Sequence, residues 1–389
     1  MTVTLDLLRI QQLQISKVFQ DNSKEITSAD FDDEGKLCIT ASADDSINLY
    51  DSTRGISQKL LFSKKYGAHP IRFTHSPTTI LHGSTKRDIT ENKYLSYFRG
   101  HDGRVVSMAM SPVDDTFISS AIDDSIIIWD FKAPSPQGRV YVGKGRPSVS
   151  FDPTGMIFAS AIQQDNKVRL YDLRNFDKGP FTQFIIIDPY LSAYSYPRPG
   201  TQMPTWTGIK FSNDEKHILI STSGDQHYLI DAFSGELKRR LVGHVGLGDT
   251  INGYGGDDTC FTPNGAFVIS GSQDGLINIW DINTSTVLQS DLRPCKQLEG
   301  HTKPTQVVQF NPRYMCMISA CHEMVFWEPM PPGTTSDSSN TDATTSNNQE
   351  SANNNNFSNE DSNSSSASVK QEPLSNESII SNINNKKLL

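Results

Sequence analysis

Histidine, serine and aspartate recur in this chain in an order that could support nucleophilic catalysis. His101, Ser119 and Asp123 precede Trp129, and His244, Ser270 and Asp274 precede Trp280. A serine activated by a histidine that a carboxylate orients is the arrangement of serine hydrolases. Recurrence argues against that chemistry here. An active site is normally built once, whereas this set returns, with Asp six residues before Trp each time. Asp44 and Asp165 keep the same offset from Tyr50 and Tyr171.

Other chemical motifs fall short of a working set. "GRVYVGKG" (138–145) resembles a phosphate-binding loop, but Gly145 stands where Ser or Thr would hold Mg²⁺, and a strand pattern follows where a helix is required. His69, His75 and His82 are spaced six and seven apart with no cysteine or carboxylate completing a zinc set. "CHEMVF" (321–326) lacks the second histidine of a zinc protease helix. With no plausible nucleophile, metal set or cofactor loop, we expect a protein that is not an enzyme and takes no cofactor.

The totals narrow the class. At 389 residues the chain is within range for one large all-β domain with appended sequence. Net charge is −9, which gives no hint of direct nucleic-acid binding. Five scattered cysteines (Cys38, Cys260, Cys295, Cys316, Cys321) with no CxxC pair read as reduced intracellular thiols. The first twenty residues carry no secretory signal pattern, and no apolar run is long enough to span a membrane. From Pro331 the composition changes: the last 59 residues hold 14 Ser and 13 Asn. Such a segment cannot bury enough apolar surface to offset its ordering entropy, so 331–389 is expected to be a disordered Asn/Ser-rich tail. Its "VKQEP" (369–373) has the shape of a sumoylation acceptor, which low-complexity sequence also produces by chance.

Residues 1–330 repeat. Aromatic-Asp pairs close short β-branched runs at Tyr50-Asp51, Trp129-Asp130, Tyr171-Asp172 and Trp280-Asp281, with weaker relatives at Ile230-Asp231 and Trp327-Glu328. "NKYLSYFRG" (92–100) supplies one further unit, with Tyr97-Phe98 in the closing place. The 277 residues from Asp51 to Glu328 cover six intervals of about 46, the period of a four-stranded propeller blade. Each unit reads strand, turn, strand, turn, strand, as in "VSFDPTG", "IFASAI" and "VRLYD".

With Gly-His at Gly100-His101, Gly243-His244 and Gly300-His301 ahead of first strands, these units resemble the WD-repeat family. The resemblance implies an all-β, seven-bladed WD-repeat propeller. It also implies a structural network in which His, a second-strand Ser, a turn Asp and the third-strand Trp satisfy one another. Its members here are His101, Ser119, Asp123 and Trp129, then His244, Ser270, Asp274 and Trp280. Buried indole, imidazole and carboxylate groups each need a partner. The last unit has His301, Ser319 and Trp327 but Cys321 in place of Asp, which predicts weaker pinning. Its missing outer strand is expected from "ISKVFQ" (15–20), closing the ring and removing free sheet edges.

Loops leading into first strands surround one mouth of a propeller channel. They carry Arg104, Arg146, Trp206, Asp257 and Lys303, which we single out as partner-binding candidates; Trp and Arg are the types that anchor interfaces. The Tyr- and Pro-rich insertion 190–206 is a second candidate surface. Trp206 and Tyr254 are the aromatic residues available for a methyl-ammonium cage.

Longer stretches, "STKRDITENKYLSYFRGH" (84–101), "YDLRNFDKGPF" (171–181) and "GHVGLGDTINGYGGDDTCFTPNGAFVISGSQDG" (243–275), are similar to one branch of the family. That branch is the small nuclear WD-repeat subunits shared by COMPASS-type histone methyltransferases and a termination-linked phosphatase complex. The resemblance implies a nuclear, non-catalytic scaffold. Such a subunit links a methyltransferase acting on lysine four of histone three to the tail of transcribing RNA polymerase II, with a second role beside a nuclear phosphatase. Direct sequence-specific nucleic-acid or membrane binding is not implied. Two alternatives stay open: a generic interaction propeller serving ubiquitin ligases or RNA processing, and a phosphoinositide-binding propeller. For the latter, "FRGH" (98–101) carries one arginine where paired arginines are needed.

Overall fold

A computed structural model describes residues 5–64, 66–84, 95–188, 204–248, 256–284 and 291–330. The expected disordered tail 331–389 lies outside these residues, as do Tyr254 and 190–203 of the insertion. The described residues are almost wholly β. The helical exceptions among them are a five-residue α-helix, Leu7–Gln11, and two 3₁₀ turns, Gln163–Asp165 and Phe176–Lys178.

Seven sheets occur among the described residues. Blade 1 runs Ile26–Phe31, Leu37–Ser42, Ser46–Asp51 and Ile56–Phe62; blade 2 is described as the pair Ile71–Phe73 and Ile80–His82. Blade 3 is Val105–Met110, Thr116–Ala121, Ser125–Asp130 and Ala133–Tyr141, and blade 4 is Ser148–Phe151, Ile157–Ile162, Lys167–Asp172 and Thr182–Ile185. Blade 5 is Trp206–Phe211, His217–Thr222, Gln226–Asp231 and Leu237–Val242, and blade 6 is Thr259–Phe261, Phe267–Gly271, Leu276–Asp281 and Lys296–Glu299. Blade 7 takes Val307–Phe310, Met317–Ala320 and Met324–Pro329 from the end of the repeat and Leu13–Phe19 from its start.

The first strand of each blade touches the first strand of the next, from blade 1 through blade 7 and back to blade 1, which makes a closed ring around a channel. Leu13 pairs with Pro329 and Phe19 with Met324, with a bulge between Ile15 and Lys17, so the first strand is the outer strand of the last blade. That is the ring closure the alternating pattern of 15–20 predicts.

Burial follows position in the blade. Second strands such as Ile157–Ile162 are buried at five of six positions, because a neighbouring blade covers each face. The outer strand Ile56–Phe62 is exposed along most of its length. Val, Ile and Phe fill the gaps between blades, where β-branched and aromatic side chains suit a pleated, two-sided core. Blade 5 gains a fifth strand: Asp291–Leu292, from the loop within blade 6, lies parallel to Leu237–Val242 and covers that edge.

Blade 2 departs from the sequence reading. Tyr97-Phe98 does not close a strand, and 95–100 is irregular. Phe98 instead lies edge-on to Phe117, Trp129 and Phe131 of blade 3, with centroids 4.9, 5.6 and 5.7 Å away.

Candidate partner interface at the channel mouth

Blade 3 contains the expected network. His101 Nδ1 lies 3.1 Å from Asp123 Oδ2, and Nε2 lies 2.8 Å from Ser119 Oγ. The Trp129 indole N–H donates to the same Ser119 oxygen at 2.8 Å. With Nδ1–H directed at the carboxylate, Nε2 accepts the Ser119 hydroxyl proton, so every polar atom is used. Ser125, which sequence reasoning overlooked, donates to Asp123 Oδ1 at 2.8 Å. Burial holds the His101 pKa below its usual value despite Asp123. Blade 7 repeats the scheme with a thiol: His301 Nε2 is 2.6 Å from Ser319 Oγ, the Trp327 indole donates to that oxygen at 2.7 Å, and Cys321 Sγ lies 3.2 Å from His301 Nδ1.

Blade 6 is assembled differently from the expectation. His244 does not reach Ser270. Its Nε2 donates to the Gly224 carbonyl at 3.1 Å, and Trp280 donates to the Val242 carbonyl at 3.1 Å. The exposed Asp274 carboxylate accepts from Leu276 N within its own turn. Ser270 is taken by His227 of blade 5, whose Nε2 is 2.9 Å away while Nδ1 accepts from Thr222 N at 3.0 Å. His227 and His244 stack with centroids 4.2 Å apart, a contact that burial permits by keeping both rings neutral. His227 was readable in principle: it sits in the third strand where other blades carry Ile47, Ile126, Val168 and Ile277.

The channel wall is polar at its centre. Arg72 of blade 2 forms a two-pronged ion pair with Asp257, which leads into blade 6, at 2.7 and 3.0 Å. Ser28 of blade 1 donates to Asp257 at 2.6 Å, and Gln309 of blade 7 donates at 3.3 Å. Burial would raise the Asp257 pKa, but Arg72, with Lys210 behind it, outweighs burial and lowers it. Asp30 is pushed up to about 6 by burial, against the pull of Arg72. A cavity of about 300 Å³ opens among Asp30, Arg72, His75, Ser107, Ser150 and Lys210.

The five mouth candidates divide. Trp206 is only 5% exposed and packs between blades 4 and 5, so it is no surface anchor and no cage wall. It is the first residue of a strand, and its large ring fills the gap between sheets. Asp257 is 2% exposed and committed to Arg72, so it does not offer a free carboxylate either. Arg104 and Arg146 are half-buried and Lys303 is exposed, all on loops leading into inner strands.

The remaining motifs resolve into structure. Residues 138–141 of the glycine-rich stretch belong to an outer strand, and Ser148–Phe151 follows as a strand, which leaves no helix N-terminus for phosphate. His69 is buried, with its pKa pulled down to about 3 by burial. His75 lies just after the strand Ile71–Phe73. Among the described residues, no group of three or more His, Cys, Asp or Glu side chains gathers into a metal-binding set. No described helix is long and apolar enough to cross a membrane.

Comparison with known proteins agrees with this architecture. The family model for the WD domain, G-beta repeat, matches residues 13–51, 92–130 and 235–281. The chain is 39% identical to WD repeat-containing protein 82 of Drosophila melanogaster over 331 residues, covering 82% of this chain and 95% of that one. It is 31% identical to COMPASS component SWD2 of Saccharomyces cerevisiae, covering 84% and 98%. Identity is also 31% to Set1 complex component swd2 of Schizosaccharomyces pombe, covering 84% and 99%. A ring of repeats closed by its own first strand, and similarity spanning nearly the full length of these relatives, place the chain in the WD-repeat family.

Proposed function

We propose that this protein is a non-catalytic scaffold subunit of a COMPASS-type histone methyltransferase complex in the nucleus. The observation that carries the reading is end-to-end similarity to relatives named as COMPASS and Set1 complex components, over 98% and 99% of their lengths. The geometry is compatible with it: the histidine–serine pairs of blades 3 and 7 are used in bracing blades. The mouth residues Arg104, Arg146 and Lys303 serve as the partner face. Through it the subunit links the methyltransferase to the tail of RNA polymerase II and takes part in a nuclear phosphatase complex.

Affinity purification of the tagged full chain from nuclear extract, followed by mass spectrometry, tests this. Recovery of histone lysine methyltransferase subunits supports it. Recovery of ubiquitin-ligase or RNA-processing factors without them rejects it in favour of a general adaptor. Phosphatase subunits in the same eluate support the second assembly, and their absence removes that part.

A further inference from the structure

We propose that Arg146 anchors an oxyanion site at the channel mouth, and that its ligand is the carboxylate of an acidic segment of a partner chain. This deepens the reading of the mouth as a partner face and rests on it. The Arg146 guanidinium makes no hydrogen bond among the described residues, and its Nε and Nη2 are sealed from water. A buried charge without a partner is costly and rare. Nη1 is the guanidinium nitrogen not sealed in, so an incoming carboxylate meets it first and can then engage the edge of a fork that makes no hydrogen bond among the described residues.

The surrounding charges favour an anion. Asp258 attracts Arg146, but its oxygens are engaged by Thr207 Oγ1 at 3.2 Å and Gly256 N at 3.1 Å. Arg104 adds a second positive charge to the same neighbourhood. Arg72 is neutralised by Asp257. Burial raises the Asp258 pKa. It also draws Arg146 down to about 10.

The test uses purified full-length protein and fluorescein-labelled hexaglutamate, read by fluorescence polarisation, with hexaserine as control. Binding to the wild type that falls at least tenfold in Arg146→Gln and weakens with salt supports the proposal. Arg146→Lys keeps the charge but not the fork, and intermediate binding is expected. The ligand-free melting temperature of Arg146→Gln is expected to equal or exceed the wild-type value, because an uncompensated charge has been removed. A purely structural arginine predicts the reverse, so a melting temperature lower by several degrees overturns the proposal. Equal binding by Arg146→Gln, or none at millimolar peptide, does so too. Arg146-dependent stabilisation by inorganic phosphate without peptide binding overturns the partner segment in favour of a free ion. Subunit recovery from nuclear extract is independent of this measurement, so either reading can fail alone.

Discussion

Arg72 and Asp257, 185 residues apart, join blade 2 to the approach of blade 6 through a two-pronged ion pair inside the channel. Ser28 and Gln309 add blades 1 and 7 to the same carboxylate. Asp257→Ala strands a guanidinium and a hydroxyl together. Breaking a buried pair from one side costs about 3–5 kcal/mol. Urea unfolding of Asp257→Ala should show a loss of this size, with much of it recovered when Arg72→Met is added. A single-variant loss below about 1 kcal/mol, the surface-pair range, would show that the clasp is not buried in solution.

The two Asp-before-Trp residues should now behave differently. Asp123 receives His101, Ser125 and the Asp102 backbone N–H. Asp123→Ala leaves partly buried donors unmatched and should cost about 1–3 kcal/mol. Asp274 is exposed and, among the described residues, its carboxylate accepts a hydrogen bond only within its own turn, so Asp274→Ala should stay within about 1 kcal/mol. Paired denaturant melts check this, and equal losses would return blade 6 to the symmetric network.

What the sequence could and could not reveal follows from range. Strand order, the period and ring closure by the segment 15–20 were readable because each depends on local alternation and turn residues repeated along the chain. The blade 3 network was readable for the same reason, since its spacing is regular. Trp206 and Asp257 were misjudged because a loop position predicts the mouth of the channel but not the depth of a side chain. His227 was missed because its partner Ser270 lies in the next blade, 43 residues on. Arg72 was missed because nothing near it in sequence announces a carboxylate 185 residues away. Contacts between blades carry no period.

His75 should give a pH signature. Its Nδ1 is 2.7 Å from Asp33 of blade 1, and its Nε2 is 3.0 and 3.1 Å from the Ser111 and Asp114 carbonyls of blade 3. All three partners are acceptors, so both ring nitrogens must carry protons. The hydrogen bond to Asp33 accordingly raises the His75 pKa above 6.5, against partial desolvation. A raised folded-state value means the stabilisation is complete below pH 6.5 and fades as pH rises through the folded value. The stability gap between wild type and His75→Gln should therefore be larger at pH 5.5 than at pH 8.5. Comparing the two proteins at each pH removes the opposite trend from His244 and His301, which burial lowers to about 4. A gap that is constant or grows with pH contradicts the doubly protonated ring.

Ring closure extends beyond the strand that sequence alternation identified. Asp6 accepts a hydrogen bond from Arg9 N at 3.0 Å and caps the short helix Leu7–Gln11. The cap turns Ile10 inward, where it is fully buried against the cluster that holds Phe267, Val325 and Trp327. Five residues are too few for a helix to persist on its own, so packing of Ile10 must hold it. Ile10→Ala should cost about 2–4 kcal/mol by cavity formation, while Leu8→Ala, at 68% exposure, should change stability by less than about 0.5 kcal/mol. Deleting residues 1–19 removes this contact together with every hydrogen bond from Leu13–Phe19 to Met324–Pro329. The deletion should lower the melting temperature of the whole ring and broaden the transition, since blade 7 is left with three strands and an open edge. A sharp transition at the wild-type temperature would mean that the ring is held closed without its first strand.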